Sequence, residues 1–504
     1  MKYSTTIFLV FFINYLYCQE ISGIVIDSLN KQPIPFAAIS SNFNKNAISN
    51  EEGKFRIYKD SFFIENDSLF ISSIGFSPKA ISCMSLSDVQ VVLAPKAIEL
   101  ESVEVTNREK LDVDEIIERV KNNSIGIYDF DYVFKQVFWR ETIIGETTDI
   151  KLEIKKSSIK EFDQKFMDSI TSTIPKKSNY LIETLSEFYG NKDSEMQKIS
   201  ALKSARLLNK ESQISLDLFE KKIQPIVEER IKPDSYFKFK SGIFPVDISA
   251  DGVDFRSIDS TDSAQIEKVQ QRKLDDKKDF NLMNRNFIKY MSNYYIDTKK
   301  KKLMIYPFNK TRLFDFNFIE LSYLEDEPIY VIDYFPKSSK ISYKGRLYIH
   351  ADEFALLRID YQSTEPLRDF NLFGVSFKVF NRYGTRMFKK NHDGKYDLYF
   401  SENFYERSFG LDRPLKIIEK NKNVKGRRKQ NQLNMDIIFR GNSKIKTQYI
   451  VLNSKKLIKK DFEAYNQIES EIPVKLIKYD SNFWNGFNII EPSQIIKDFK
   501  IEKN

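Results

Sequence analysis

The sequence predicts an all-β sandwich at the N-terminus followed by a larger α+β region dominated by an antiparallel sheet. Three observations carry this reading. Short apolar runs separated by turn residues recur between Ile21 and Val105, and a second series of alternating runs with short polar links extends from Lys302 to Gly384. Between the two, over Ser263 to Tyr295, the apolar spacing becomes that of a helix.

Ahead of the sandwich, Met1-Lys2 precedes the apolar stretch Ile7 to Ile13 and then Tyr15 to Cys18, after which the chain turns polar at Gln19-Glu20. A positive start, a short apolar core and an abrupt polar end describe a secretory signal peptide over residues 1–18, with Gln19 as the mature start. The core is too short to span a bilayer. A lipoprotein that retains and acylates Cys18 is the alternative, but Leu16-Tyr17 stand where small residues normally precede such a cysteine. The chain is therefore expected to be exported.

The sandwich occupies residues 19–106. Ile21, Ile24 and Ile26 form a strand with one buried face, and Gly23 within it marks a bulge or a close backbone approach. Pro33 and Pro35 suit the entry to an edge strand that continues through Phe36, Ala37, Ala38 and Ile39. Asn50 to Gly53 reads as a turn, with the strand resuming at Phe55 and Ile57. Leu69, Ile71 and Ser73 alternate up to Gly75, and Val91 to Leu93 close the set. The residues Gly23, Asp27, Pro33, Pro35, Ala37, Asn50, Gly53, Phe55, Gly75 and Phe76, with the trailing Leu100-Glu101-Ser102-Val103-Glu104-Val105, make this segment resemble the carboxypeptidase-regulatory-like domain. That family is a transthyretin-type sandwich found at the front of Bacteroidetes envelope proteins. The resemblance implies a transthyretin-like, non-catalytic module of the kind that accompanies peptidases, TonB-dependent receptors and uncharacterised chains.

A helical connector follows over 107–127, with Asp112 and Asp114 at its start and Ile116, Ile117 and Val120 on one face. Residues 128–504 form the α+β region. Tyr128, Phe130, Tyr132, Phe134 and Gln136 alternate with Asp129, Asp131, Val133, Lys135 and Val137, the period of a strand that runs on to Glu141. Leu181, Ile182, Leu185 and Phe188 fit a short amphipathic helix ending at Gly190, and Lys192 to Asp217 reads as a polar surface excursion. In the long helix Ile266, Val269, Leu274, Phe287, Met291 and Tyr294 are the apolar positions, with a charged middle at Lys273 to Asp279 that must face water. The meander, about 302–384, places strands at Leu313 to Tyr323, Ile329 to Phe335, Ser342 to His350, Phe354 to Tyr361 and Val375 to Tyr383. The stretch Gly345 to Asp360 is similar to paired strands of periplasmic lipoprotein carriers, which implies an incomplete, strongly curved sheet wrapped around a hydrophobic cavity. In the C-terminal tail, Tyr479 to Pro492 resembles a closing phrase of Bacteroidetes proteins built with the same N-terminal module. Trp484 and Phe487 are expected to pack onto a sheet there, with ligand stacking by Trp484 as the alternative.

The 504 residues include only two cysteines, Cys18 and Cys83, so the mature chain is stabilised by its apolar core and not by an internal disulfide. The net charge of +8 is spread among interleaved acids and bases, which is a solvated surface and not a nucleic-acid footprint. The basic cluster from Lys416 to Lys429, with Lys420, Lys422, Lys425, Arg427 and Arg428, reads as an exposed loop; contact with anionic lipid or a polyanionic glycan is the sharper alternative.

Catalytic parts are scarce. His350 and His392 are the only histidines, and His350-Ala351-Asp352-Glu353 has only the bare spacing of a metal pair, placed on a hairpin turn where both acids read as solvated. A nucleophile elbow is missing, and Asp129 with Asp131 fits alternation on an exposed strand face better than a glycosidase pair. The expectation is a non-catalytic envelope protein without metal or cofactor and with no assigned site residues. Its role would be binding or assembly at the outer membrane or in the periplasm, with a lipid, a glycan or an outer-membrane protein as partner. The sheet surface lined by aromatics such as Phe134 and Tyr348 would hold the ligand. An outer-membrane β-barrel or barrel-associated protein is the first alternative, and a peptidase-related enzyme the second.

Overall fold

The computed structural model describes residues 20–41, 46–58, 68–82, 88–96, 112–128, 131–208, 221–232, 235–241, 244–246, 263–297, 302–339, 341–391, 393–421, 423, 425–426 and 429–499. The signal segment with Cys18, and also Cys83, Asp129 and His392, lie outside them. The chain divides into two compact units, one reaching to Lys96 and including Ser481–Ser493, the other covering Ala97–Asp480 and the residues from Gln494 onward.

In the first unit, strands β1 (Glu20–Asp27), β4 (Lys54–Tyr58) and β7 (Val89–Leu93) form a sheet in the order β4-β1-β7. Strands β2 (Ala38–Ser41), β3 (Asn46–Ile48), β5 (Ser68–Ser72) and β6 (Lys79–Ser82) form a second in the order β3-β2-β5-β6. Ile21 and Val25 of β1, Phe55 and Ile57 of β4 and Val91 of β7 share one core with Ile39, Leu69 and Ile71 of the other sheet, which makes the unit a β-sandwich. Gly23 is the close approach the sequence predicts: a Cβ there would stand 2.3 Å from the Val89 carbonyl oxygen. The Asn50 turn also forms, its side-chain oxygen accepting the Glu52 and Lys54 amides at 2.9 Å each, with Gly53 at φ +73°. β2, expected at an edge, lies inside its sheet; Pro33 and Pro35 precede the strand and so remove no ladder bond.

The segment Ser481–Ser493 returns to this unit. Arg56 Nε donates to Glu491 Oε2 at 2.8 Å, the Tyr58 amide to Asn488 Oδ1 at 2.6 Å, and the Tyr58 hydroxyl to Asn485 Oδ1 at 3.0 Å. Trp484 is only 1% exposed and meets Phe483 edge-on, as a packed anchor.

The second unit is built on one 14-stranded sheet. In chain order come α1 (Val113–Tyr128), β8 (Val133–Ser157), α2 (Gln164–Thr171), β9 (Lys177–Gly190), β10 (Gln197–Leu208) and α3 (221–230). Next are β11 (Ser235–Ser241), β12 (Phe244–Val246), α4 (Ser263–Asn293), and the short pair β13 (Ile296–Asp297) and β14 (Lys302–Leu303). The meander follows as β15 (Phe314–Leu324), β16 (Glu327–Pro336), β17 (Tyr343–His350), β18 (Leu356–Ser363), β19 (Arg368–Leu372) and β20 (Val375–Lys390). Two long strands, β21 (Tyr396–Asn421) and β22 (Lys429–Lys456), precede α5 (Lys459–Ala464), β23 (Val474–Leu476) and α6 (Gln494–Lys497). The path runs β15-β16-β17-β18-β20-β21-β22-β8-β9-β10-β23, with β11 on β21, β12 on β11 and β19 on β20. Its two ends are different strands that do not pair among the described residues, so the sheet is not a closed barrel. No described helix is long and apolar enough to cross a membrane.

Several expectations are corrected. Tyr128 ends α1 instead of opening a strand, and its buried hydroxyl accepts the Leu356 amide at 2.7 Å. Residues 177–190 are a strand and not a helix, because neighbours on both sides pair with it. Residues 197–208, read as an excursion, are β10. Of the cluster Lys416 to Lys429, Lys416 and Lys420 lie inside β21 and Lys429 opens β22, while Lys422, Arg427 and Arg428 lie outside the described residues. The long helix forms as predicted with its charged middle exposed, but Leu274 is 52% exposed; Asn281, Asn284 and Ile288 carry the buried face.

Candidate functional site

An apolar cavity of about 310 Å³ lies where α2 and α3 meet the far ends of the longest strands. Asp163 caps α2, its carboxylate accepting the Phe166 amide at 2.8 Å, and this sets Met167 and Ile170 inward at helical spacing. From α3, Ile223 and Val227 stand one turn apart above the cavity, followed by Ile231. The floor is made by alternation along strands. Leu433, Met435 and Ile437 of β22 project to one side; Leu152 of β8 is the registered neighbour of Ile437, and Ile417 of β21 that of Leu433. Phe239 of β11 continues the row beside Ile417, and Phe237 sits beside Glu419.

Glu419 is the ionisable group in this wall and is only 2% exposed. Its Oε1 accepts the Lys232 amide at 3.2 Å and the Ser235 hydroxyl at 2.5 Å, and its Oε2 accepts Asn431 Nδ2 at 2.7 Å. Among the described residues no lysine or arginine side chain pairs with it. Asn431 Nδ2 also donates to the Arg230 carbonyl at 3.2 Å, while the Gln432 side chain is engaged by Lys429 and donates to Asn434 Oδ1 at 2.7 Å.

A second buried constellation lies under α4, on the same face of the sheet. There Trp139 donates its indole N–H to Asn284 at 2.8 Å. Asp397 joins the Lys135 ammonium and the Tyr295 hydroxyl, with Lys192 Nζ 3.8 Å away. Burial pushes the Lys135 ammonium below its ordinary value despite the attraction of Asp397. Burial also works to raise the Asp397 carboxyl, but Lys135 and Lys192 together hold it below its ordinary value. The Tyr295 hydroxyl is raised, first by burial and then by the Asp397 charge. On the opposite face a cross-strand ladder buries Arg140, which donates to Glu183 Oε1 at 2.6 Å and to Gln448 Oε1 at 3.2 Å; Gln448 donates on to Glu402 at 2.7 Å. These groups are mutually satisfied and hold the sheet together.

His350 lies on the predicted hairpin, and its Nδ1 accepts the amides of Asp352 and Glu353 at 3.2 Å each, so the ring shapes the turn. Glu353 is not a free solvated acid: it pairs with Lys390 and accepts the Tyr396 hydroxyl at 2.8 Å. No metal-holding group of His, Cys, Asp and Glu occurs among the described residues. Phe134 and Tyr348 do not line the cavity. Counted along the registered strands they fall with Arg140, on the face away from α4; Phe134 packs edge-on against Tyr189 and Tyr348 lies under Arg358. The cavity residues went unpredicted, although Phe237-Lys238-Phe239 and Leu433-Asn434-Met435-Asp436-Ile437 carry the alternation that signals them.

No family model and no curated protein sequence matches the chain. Among solved structures it is similar to a domain assigned to outer membrane lipoprotein sorting from Vibrio parahaemolyticus, at 9% identity and a TM-score of 0.19, over 70% of this chain and 97% of the other. It is also similar to a chain of the Pseudomonas aeruginosa MucA/MucB complex, at 8% identity and a TM-score of 0.13, over 69% and 100%. A membrane-associated protein of unknown function from Bacteroides fragilis matches at 9% identity and a TM-score of 0.13, over 86% and 98%. Likenesses at this level carry no argument about function, which rests on the chain's own geometry.

Proposed function

We propose that this chain is an exported, non-catalytic cell-envelope protein whose C-terminal sheet holds a long-chain alkyl group in the cavity beneath α2 and α3. The cavity carries the reading. Its volume of about 310 Å³ is enclosed almost wholly by aliphatic and aromatic side chains, at the lower end of the ~300–1,000 Å³ typical of small-molecule sites. Such walls offer an alkyl chain about 0.8 kcal/mol per buried methylene, so ten of them supply on the order of 8 kcal/mol before the costs of association. A glycan, with many hydroxyl groups to satisfy, would find few partners there. Export rests on the apolar core of residues 7–17. The β-sandwich with its Asn50 turn supports reading the first unit as the carboxypeptidase-regulatory-like, transthyretin-type module.

The test is displacement of a fluorescent naphthylamine probe by 1-dodecanol. The wild-type protein should bind and release the probe. Ile223→Asp, on the half-exposed lid helix, should weaken binding by at least about tenfold. Absence of displacement, or unchanged binding in a folded Ile223→Asp protein, would refute the proposal.

A further inference from the structure

We infer that a second, polar hollow built around Arg407 lies beside the apolar cavity and receives the oxyanion head group, a phosphate or a carboxylate, of the amphiphile whose chain the cavity holds. This rests on the alkyl-binding reading and adds the chemistry of the head group. The hollow has a volume of about 370 Å³, with Arg407 and Ser443 toward one end and Phe409 and Phe439 toward the other. Its floor is bare because glycines stand there. Gly145 is the registered neighbour of Ser443, which neighbours Arg407; Gly441 is that of Thr147 and also of Phe409. These residues therefore share one face of the sheet. A Cβ on Gly441 would meet nothing nearer than the Glu146 carbonyl oxygen at 3.1 Å. Gly441, Phe439 and Ile437 alternate along β22, so hollow and cavity follow one another on that face. At ~3.3 Å per residue the step from Gly441 to Ile437 is about 13 Å, which a dodecyl chain spans.

The Arg407 charge is not spent on the protein. Among the described residues its side chain forms no ion pair and no hydrogen bond, and the hydroxyls of Thr147 and Ser443 are likewise unengaged. Two more arginines of β20 share this face. Arg382 donates to Asn403 Oδ1 at 2.9 Å, and Arg386 is registered with Ser401; both partners alternate with Arg407 along β21. Arg386 lies over the Tyr294 ring at 4.4 Å, and among the described residues neither arginine pairs with a carboxylate. Glu141 is the carboxyl that Arg407 acts on, without a direct pair, and burial raises it above its ordinary value. Glu146 alternates with Gly145 and Thr147 and so turns its carboxylate to the other side. One carboxyl set against three guanidinium groups leaves this stretch positive. An oxyanion beside Arg407 gains a charge-assisted hydrogen bond, with the two hydroxyls as further donors.

The experiment is displacement of the same probe from the full chain by dodecyl phosphate and 1-dodecanol at neutral pH, each below its solubility or micellar limit. Inorganic phosphate is titrated separately by calorimetry. Dodecyl phosphate should act at concentrations at least about tenfold lower than dodecanol. Arg407→Gln should close that gap by weakening dodecyl phosphate alone. Gly441→Val, which fills the hollow, should close it too and serves if Arg407→Gln does not fold. Equal displacement by the two amphiphiles in the wild type would overturn this inference and leave the alkyl-binding reading standing. Displacement by neither would overturn both. Inorganic phosphate binding that Arg407→Gln abolishes, with no gap between the amphiphiles, would replace the head group by a free anion. A gap unchanged in both variants would overturn the assignment to this hollow.

Discussion

Asp397→Asn isolates the electrostatics of the second unit's core. Asp397 is 8% exposed and Lys135 2% exposed. The carboxylate pairs with the Lys135 ammonium, faces Lys192 Nζ at 3.8 Å, and accepts the Tyr295 hydroxyl and the Leu398 amide. Asparagine has nearly the same volume, so the substitution opens little space and the measured loss is that of the charge. Two buried ammonium groups are then left beside a neutral amide, and stripping one partner from a buried pair costs about 3–5 kcal/mol. Urea unfolding followed by Trp139 fluorescence reads this, in a Trp484→Phe background because the chain has two tryptophans. Adding Lys135→Met should recover part of the loss, since it removes one stranded charge, with a coupling of about 1–3 kcal/mol. The sign with pH is fixed by the same contacts. Asp397 lies below its ordinary 3.8 in the folded state, so the unfolded chain binds more protons just below that value. Its stabilisation is complete above the unfolded value and is lost as pH falls through the folded one. Lys135, depressed below its ordinary 10.5, adds an alkaline limb of the same sign: the cost of burying its charge is relieved as pH rises from its folded value towards 10.5. Asp397→Asn should flatten the acid limb. A loss under about 1 kcal/mol, or an acid limb unchanged by the substitution, would refute the argument.

Two further outcomes follow from local geometry. Gly53→Val should destabilise the first unit by about 1–3 kcal/mol, since Gly53 has φ +73° and a Cβ there would lie 2.7 Å from the Val25 carbonyl oxygen; thermal melts followed by Trp484 fluorescence would show it, and an unchanged melt would refute it. His350→Ala should cost about 0.5–1.5 kcal/mol, because it removes the ring nitrogen that accepts the Asp352 and Glu353 amides, while alkyl displacement stays as in the wild type; a lost binding signal in folded protein would refute a purely local role.

How much of this was legible depended on whether each strand kept one face different from the other. The meander was readable because its strands are separated by polar turns such as Glu325-Asp326-Glu327-Pro328. β9 was not, because residues on both of its faces are buried: Leu181, Glu183 and Leu185 on one, Ile182, Thr184 and Ser186 on the other. With the period-two contrast erased, the spacing of Leu181, Leu185 and Phe188 fitted a helix equally well. β10 was hidden by its register shift between Ala201 and Lys203 and by buried serines at positions 200 and 204. The cavity was concealed in a related way. Along β21, Ile417 and Glu419 face inward while Lys416 and Lys420 face outward, so the run of lysines masks the inward alternation. The partners that make Glu419 unusual lie 187, 184 and 12 residues away in the chain. Local pattern can place a residue on a strand face, but only the folded register shows which distant donors meet there.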